Sequence, residues 1–134
     1  MNKTSVMVEF TLTGDQFNPD FIAERLEIKP NEIYYKGEQA KHRKAVRKET
    51  CWSINTGYQE SLDVNIQLRD VIEKIRPKKN DLKELQVENN LEIKFCIVIK
   101  IEQNQTPAIY LDSDIIAFAH EIKAEFDFDL YIYS

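Results

Sequence analysis

An α+β fold of about five mainly antiparallel strands, in a ferredoxin-like arrangement with an extra helical pair, is what this sequence predicts. Three observations predict it. Apolar and polar residues alternate over 5–13 and again over 91–102, the period of half-buried strands. Val64, Leu68, Val71, Ile72 and Ile75 fall at i, i+4, i+7, i+8 and i+11, which is one face of a helix. Residues 20–29 and 114–123 share six identities over ten positions, and each copy follows one strand and precedes another. Two such strand-helix-strand halves, side by side with their helices on one face of a shared sheet, give the ferredoxin-like arrangement. Convergence of two short amphipathic helices is the competing explanation of the similarity.

Taken in order, Val6, Val8, Phe10 and Leu12 share one face of a first strand that ends at Gly14. Asn18 then offers an N-cap and Pro19 sits at the first helical position, where its missing N–H costs nothing. The helix is expected over 19–28, with Pro30 as its stop. Residues 31–48 show no sustained periodicity and are expected as a loop. Thr50, Trp52 and Ile54 alternate with Cys51, Ser53 and Asn55 in a second strand.

Thr56 and Gln59 have capping-box spacing ahead of the helix that carries the Val64–Ile75 stripe, which Pro77 closes. Asn80 is placed to cap a further short helix over 81–88, and Asn89-Asn90 turns the chain into the long strand over 91–102. Residues 107–111 read as an edge strand, because proline is tolerated at a strand start. Asp112 or Ser113 caps a last helix running to Ala124. The chain closes with Phe126, Phe128, Leu130 and Ile132 facing in and Asp127, Asp129, Tyr131 and Tyr133 facing out.

The 134 residues fit one domain, 1–134, large enough to bury a core without a metal or disulfide staple. The longest apolar run, 95–99, is far short of the roughly 18 residues of a membrane span, and no signal-like layout opens the chain; a cytoplasmic protein with no membrane partner is expected. Cys51 and Cys96 lie in strand-like segments and are expected as reduced thiols. With only His42 and His120 beside them, and no short Cys/His spacing, no metal and no cofactor are expected.

The segment order resembles the bacterial family catalogued as domain of unknown function 4279. Its matching elements are 10–14 (Phe10-Thr11-Leu12-Thr13-Gly14), 17–19 (Phe17-Asn18-Pro19), Ile22 with Leu26, 28–30 (Ile28-Lys29-Pro30), Gly37 before a basic stretch, and Trp52. The helix over 68–75, Pro77 and the closing 129–131 (Asp129-Leu130-Tyr131) match as well. These motifs punctuate structure, and Phe118-Ala119-His120 departs from the pattern. The resemblance brings no activity with it.

Within the 31–48 basic loop, residues 36–48 carry six basic side chains against Glu38 alone, so this stretch is +5 and the remaining chain −10. Tyr34, Tyr35, Lys41, Arg43, Lys44 and Arg47 are therefore candidate contacts for an anionic ligand or acidic surface. A pI of about 5.1 speaks against a dedicated nucleic-acid binder. Asp127 and Asp129 lie on one face of the last strand beside Tyr131, a pair suited to a basic protein surface or to balancing Lys94, Lys100 or the basic loop. No base, nucleophile or oxyanion donor is placed with them, so no catalytic residue is expected. The leading expectation is a non-catalytic protein-binding module, in its specific form an immunity-type inhibitor of a basic toxin. The alternative is a ligand-binding or enzymatic domain for an anionic or phosphorylated small molecule held by the basic loop. A homodimer through a sheet face or an edge strand such as 107–111 is the third reading.

Overall fold

The computed structural model describes residues 2–41 and 44–133, and over these the chain is α+β. Its elements are β1 (Ser5–Gly14), α1 (Pro19–Leu26), β2 (Glu32–Tyr34), β3 (Thr50–Asn55), β4 (Gln59–Glu60), α2 (Val64–Ile75), α3 (Lys79–Asn89), β5 (Glu92–Glu102), α4 (Ser113–Glu121) and β6 (Ala124–Tyr133). A 3-10 turn, Arg76–Lys78, joins α2 to α3. The strands form one open mixed sheet in the order β2-β3-β1-β5-β6, and β4 pairs the first residues of β1 beyond the end of β3. Every neighbouring pair is antiparallel except β5 and β6, which run parallel around the α4 crossover.

Register explains the core. Phe10 lies between Ile54 and Phe95, and Leu12 between Trp52 and Ile93, so the three strands share a continuous apolar face. The buried sides of all four helices join that face in a single cluster. Phe95 stands at its centre, with ring centroids 5.1 Å from Phe10 and 5.5 Å from Phe126. Trp52 is fully buried, the core anchor its strand position implies.

The helix ends follow local chemistry. Asn18 accepts from the Asp20 N–H, Pro19 opens α1, and Glu27 closes it in the left-handed region at φ 56°. That places the end at Leu26, two residues short of the expected end at Ile28. The Thr56–Gln59 capping box does not form. Thr56 Oγ1 accepts from the Val8 N–H and donates to the Gly57 carbonyl, Gln59 belongs to β4, and Asp63 caps α2 instead. Asn80 lies inside α3, because the turn through Pro77 carries the chain straight into a helix that starts at Lys79. The last helix ends at Glu121 rather than Ala124, with Lys123 left-handed at φ 57° before β6.

Two expectations about strands are also corrected. The stretch 31–48 contains β2, a three-residue strand too short to show a period. Residues 107–111 form no strand. Ala108 makes one isolated bridge to Asp63, and buried Asn65 fixes the rest by donating to the Tyr110 carbonyl at 2.8 Å and accepting from the Asp112 N–H at 3.2 Å. No helix among the described residues is long and apolar enough to cross a membrane.

Candidate functional site

Among the described residues all four helices pack on one face of the sheet, and none of them covers the opposite face over β1, β5 and β6. Alternation brings Met7, Glu9, Cys96 and Val98 to that face, half-buried, and Asp127, Asp129, Tyr131 and Tyr133 exposed beside them. Glu9, Cys96 and Asp127 are aligned across three adjacent strands. They line a shallow depression of about 370 Å³ together with Val98, Phe128 and Asp129.

The electrostatics of this face are those of an anionic surface with few counter-charges. Lys94 is held in its charged form by Glu92 at 3.1 Å and also lies 3.8 Å from Asp127. Lys100 sits over the Tyr58 ring at 3.9 Å. Asp129 accepts from the Tyr131 hydroxyl at 3.3 Å, and its charge together with that bond raises the tyrosine pKa. Burial, helped by nearby Glu32, pushes the Glu9 carboxyl above its ordinary 4.5. Burial likewise raises the Cys96 thiol, with Glu9 and Asp127 adding to it. A thiol moved in that direction is a poor nucleophile.

In its described residues, 36–41 and 44–48, the basic segment pairs with itself as a small hairpin at the opposite edge. Gly37 N–H donates to the Arg47 carbonyl at 2.9 Å, Arg47 N–H to the Glu38 carbonyl at 2.7 Å, and Ala40 N–H to the Ala45 carbonyl at 3.0 Å. The Arg47 guanidinium lies 3.9 Å from the Tyr34 ring centre, and Lys36 pairs with Asp15. Tyr35, Lys41 and Lys44 are exposed, while Arg43 lies outside the described residues. Tyr34 is half-buried against its register partner Cys51, and burial pushes both groups up to about 12. Tyr34, Ala40, Ala45, Val46 and Arg47 line a second hollow of about 350 Å³.

The candidate residues therefore fall into two groups. Asp127, Asp129 and Tyr131 stand together on β6, and Tyr34, Tyr35, Lys41, Lys44 and Arg47 gather around β2. Four strand spacings separate these edges, on the order of 19 Å. Sequence reasoning placed Lys94 beside the acidic pair but missed Glu9 and Tyr58 as members of the open face. Alternation along β1 was signal enough for Glu9; Tyr58 reaches Lys100 only because the chain turns there into two-residue β4, which has no period. His120 is exposed on α4. No three of the His, Cys, Asp and Glu side chains among the described residues are grouped to hold a metal ion.

Comparison with known proteins adds a family. The family model described as domain of unknown function (DUF4279) matches residues 2–133. No curated protein and no solved structure matches the chain. With nearly its whole length matched, the chain belongs to the DUF4279 family.

Proposed function

We propose that this member of the DUF4279 family is a non-catalytic protein-binding module that meets a basic partner through the β6 end of its open sheet face. The observation that carries the reading is Asp127 and Asp129 exposed side by side with Tyr131 and Tyr133 on a strand face that no helix among the described residues covers. Carboxylates so placed steer a basic surface at long range, and flanking tyrosines supply contact area at low entropic cost. Two features favour binding over turnover. Both thiols are held protonated by burial, and the open face joins its acids to lysine and tyrosine rather than to a base and nucleophile.

The finer form of the proposal is an immunity-type inhibitor, whose acidic face would occupy a basic toxin. The fold is read in the same spirit. The antiparallel run β2-β3-β1-β5, with α1 linking β1 to β2 and α2–α3 leading into β5, supports a ferredoxin-like core to which α4 and β6 are appended. A second reading, an anionic small molecule on the basic hairpin, draws on exposed Lys41 and Lys44. Against it, Arg47 and Lys36 are engaged within the fold.

The test is the association rate of the bound partner, measured against ionic strength with the native chain and with Asp127→Asn/Asp129→Asn. The proposal expects slower association and a flatter salt dependence in the variant. Equal rates and equal salt slopes would remove the β6 carboxylates from the interface.

A further inference from the structure

We propose that two copies of this chain pair antiparallel through the outer edge of β6, forming a two-fold dimer with one continuous sheet. It rests on the outer edge of β6 rather than on the partner proposed above, although both draw on Asp127, Asp129, Tyr131 and Tyr133. β6 ends the sheet, so among the described residues no strand meets its outer row of backbone N–H and C=O groups. A long bare edge is a template for another strand, and folds ordinarily blunt it with charged side chains, lysine above all, with proline or with a bulge; the charges of β6 are the carboxylates of Glu125, Asp127 and Asp129. Ala124–Tyr133 contains no lysine, proline or glycine, and its pairing with β5 runs without a break from Ala124 to Tyr133.

A second copy is the occupant that this edge fits, because β6 is complementary to itself. Two-fold antiparallel pairing about an axis normal to the sheet keeps like faces together, so odd-numbered residues oppose odd and even oppose even. With the axis at Leu130, Asp127 opposes Tyr133 of the second copy and Asp129 opposes Tyr131. On the other face Phe128 opposes Ile132, and Leu130 opposes itself. Centring on Asp129 sets that carboxylate against its own copy, and centring on Phe128 sets Asp127 against Asp129. The Leu130 register is thus the longest in which no carboxylate faces a carboxylate. Tyrosine hydroxyls suit the role, since Tyr131 already donates to Asp129 within one chain.

The helix side of β6 agrees. Phe128, Leu130 and Ile132 are 43%, 49% and 72% exposed although they face the same way as the core. Pairing sets these side chains against their counterparts and joins two open acidic faces into one surface.

Sedimentation velocity over a roughly hundredfold concentration range tests the dimer, since self-association shifts with concentration by mass action. The native chain is expected to move from monomer to dimer, and Leu130→Lys, its fold checked by circular dichroism, to remain monomeric. Val87→Lys on exposed α3 should behave as the native chain. In a Cys96→Ser background, Leu130→Cys should cross-link under mild oxidation and Ile132→Cys should not, because only Leu130 meets its own copy. A native chain that stays monomeric overturns the proposal, as does a folded Leu130→Lys dimer, or cross-linking through position 132 in place of 130.

Discussion

Ile97 and Phe128 are register partners on neighbouring parallel strands and face the same side of the sheet, yet Ile97 is fully buried and Phe128 is 43% exposed. Helix length accounts for the difference. α4 has nine residues and spans about 14 Å, whereas the ten residues of β6 span about 33 Å. A helix of that length, running back from the start of β6, is too short to cover the whole strand, and only Phe126 among its core-side aromatics is half-buried. The connection from β5 to α4, 103–112, is drawn to the start of α2 by the Asp63–Ala108 bridge and Asn65. Both proposed surfaces, the acidic face and the bare edge, follow from this arrangement.

The core should be least tolerant where the aromatic rings meet. Phe95→Ala removes a buried ring packed on both Phe10 and Phe126. It should cost about 3–5 kcal/mol in urea unfolding, while Val87→Ala, on a side chain 77% exposed, should stay within about 0.5 kcal/mol.

Asn65 is buried and satisfies two backbone groups of the 110–112 segment. Asn65→Ala leaves a carbonyl and an N–H without their partner, at roughly 1–3 kcal/mol for each group that stays buried. The loss should appear as a lower urea midpoint with little change in slope, and amide exchange at Asp112 should accelerate.

Glu9 gives a pH dependence of definite sign. Its folded pKa is raised by burial and by Glu32, so the folded state is penalised once the group ionises, from its ordinary 4.5 upward. Glu9→Gln should therefore stabilise the protein at neutral pH, with the gain shrinking to nothing as pH falls below 4.5. Melting temperatures of both proteins across this range check it; a gain that persists at low pH contradicts the assignment.

Tyr34 and Cys51 act at the alkaline end. Both are raised to about 12, from ordinary values of 10.0 and 9.0, and the unfolded chain therefore releases their protons first. Stability should fall as pH climbs from 9 toward 12, and less so in Cys51→Ala. At neutral pH a thiol reagent should reach Cys96 slowly and Cys51 only on unfolding, since Cys51 is buried.

Period was the readable part of the sequence. β1, β5 and α2 carry long alternating or helical stripes, and register then confirms which residues meet. β2 and β4, with three and two residues, carry no period to read. The internal similarity misleads for a related reason. Ile22 and Ile116 occupy identical positions in the two copies, yet Ile22 is buried and Ile116 is 51% exposed. α1 packs against β3 and α3, whereas α4 lies by the edge strand, and ten residues of sequence do not encode what stands beside them. The site behaves likewise. Alternation put Asp127, Asp129 and Tyr131 on one face, but Glu9 and Cys96 join them only through pairings between strands far apart in the chain. The distance between the acidic face and the basic hairpin depends wholly on strand order.

Native mass spectrometry of the chain isolated gently from its own host, alongside Asp127→Asn/Asp129→Asn and Lys41→Ala/Lys44→Ala, tests the binding proposal most directly. The account predicts a bound polypeptide of defined mass on the native chain and on the lysine variant, absent from the aspartate variant. A bound small anionic molecule that the aspartate variant keeps and the lysine variant loses would contradict it and move the function to the basic hairpin.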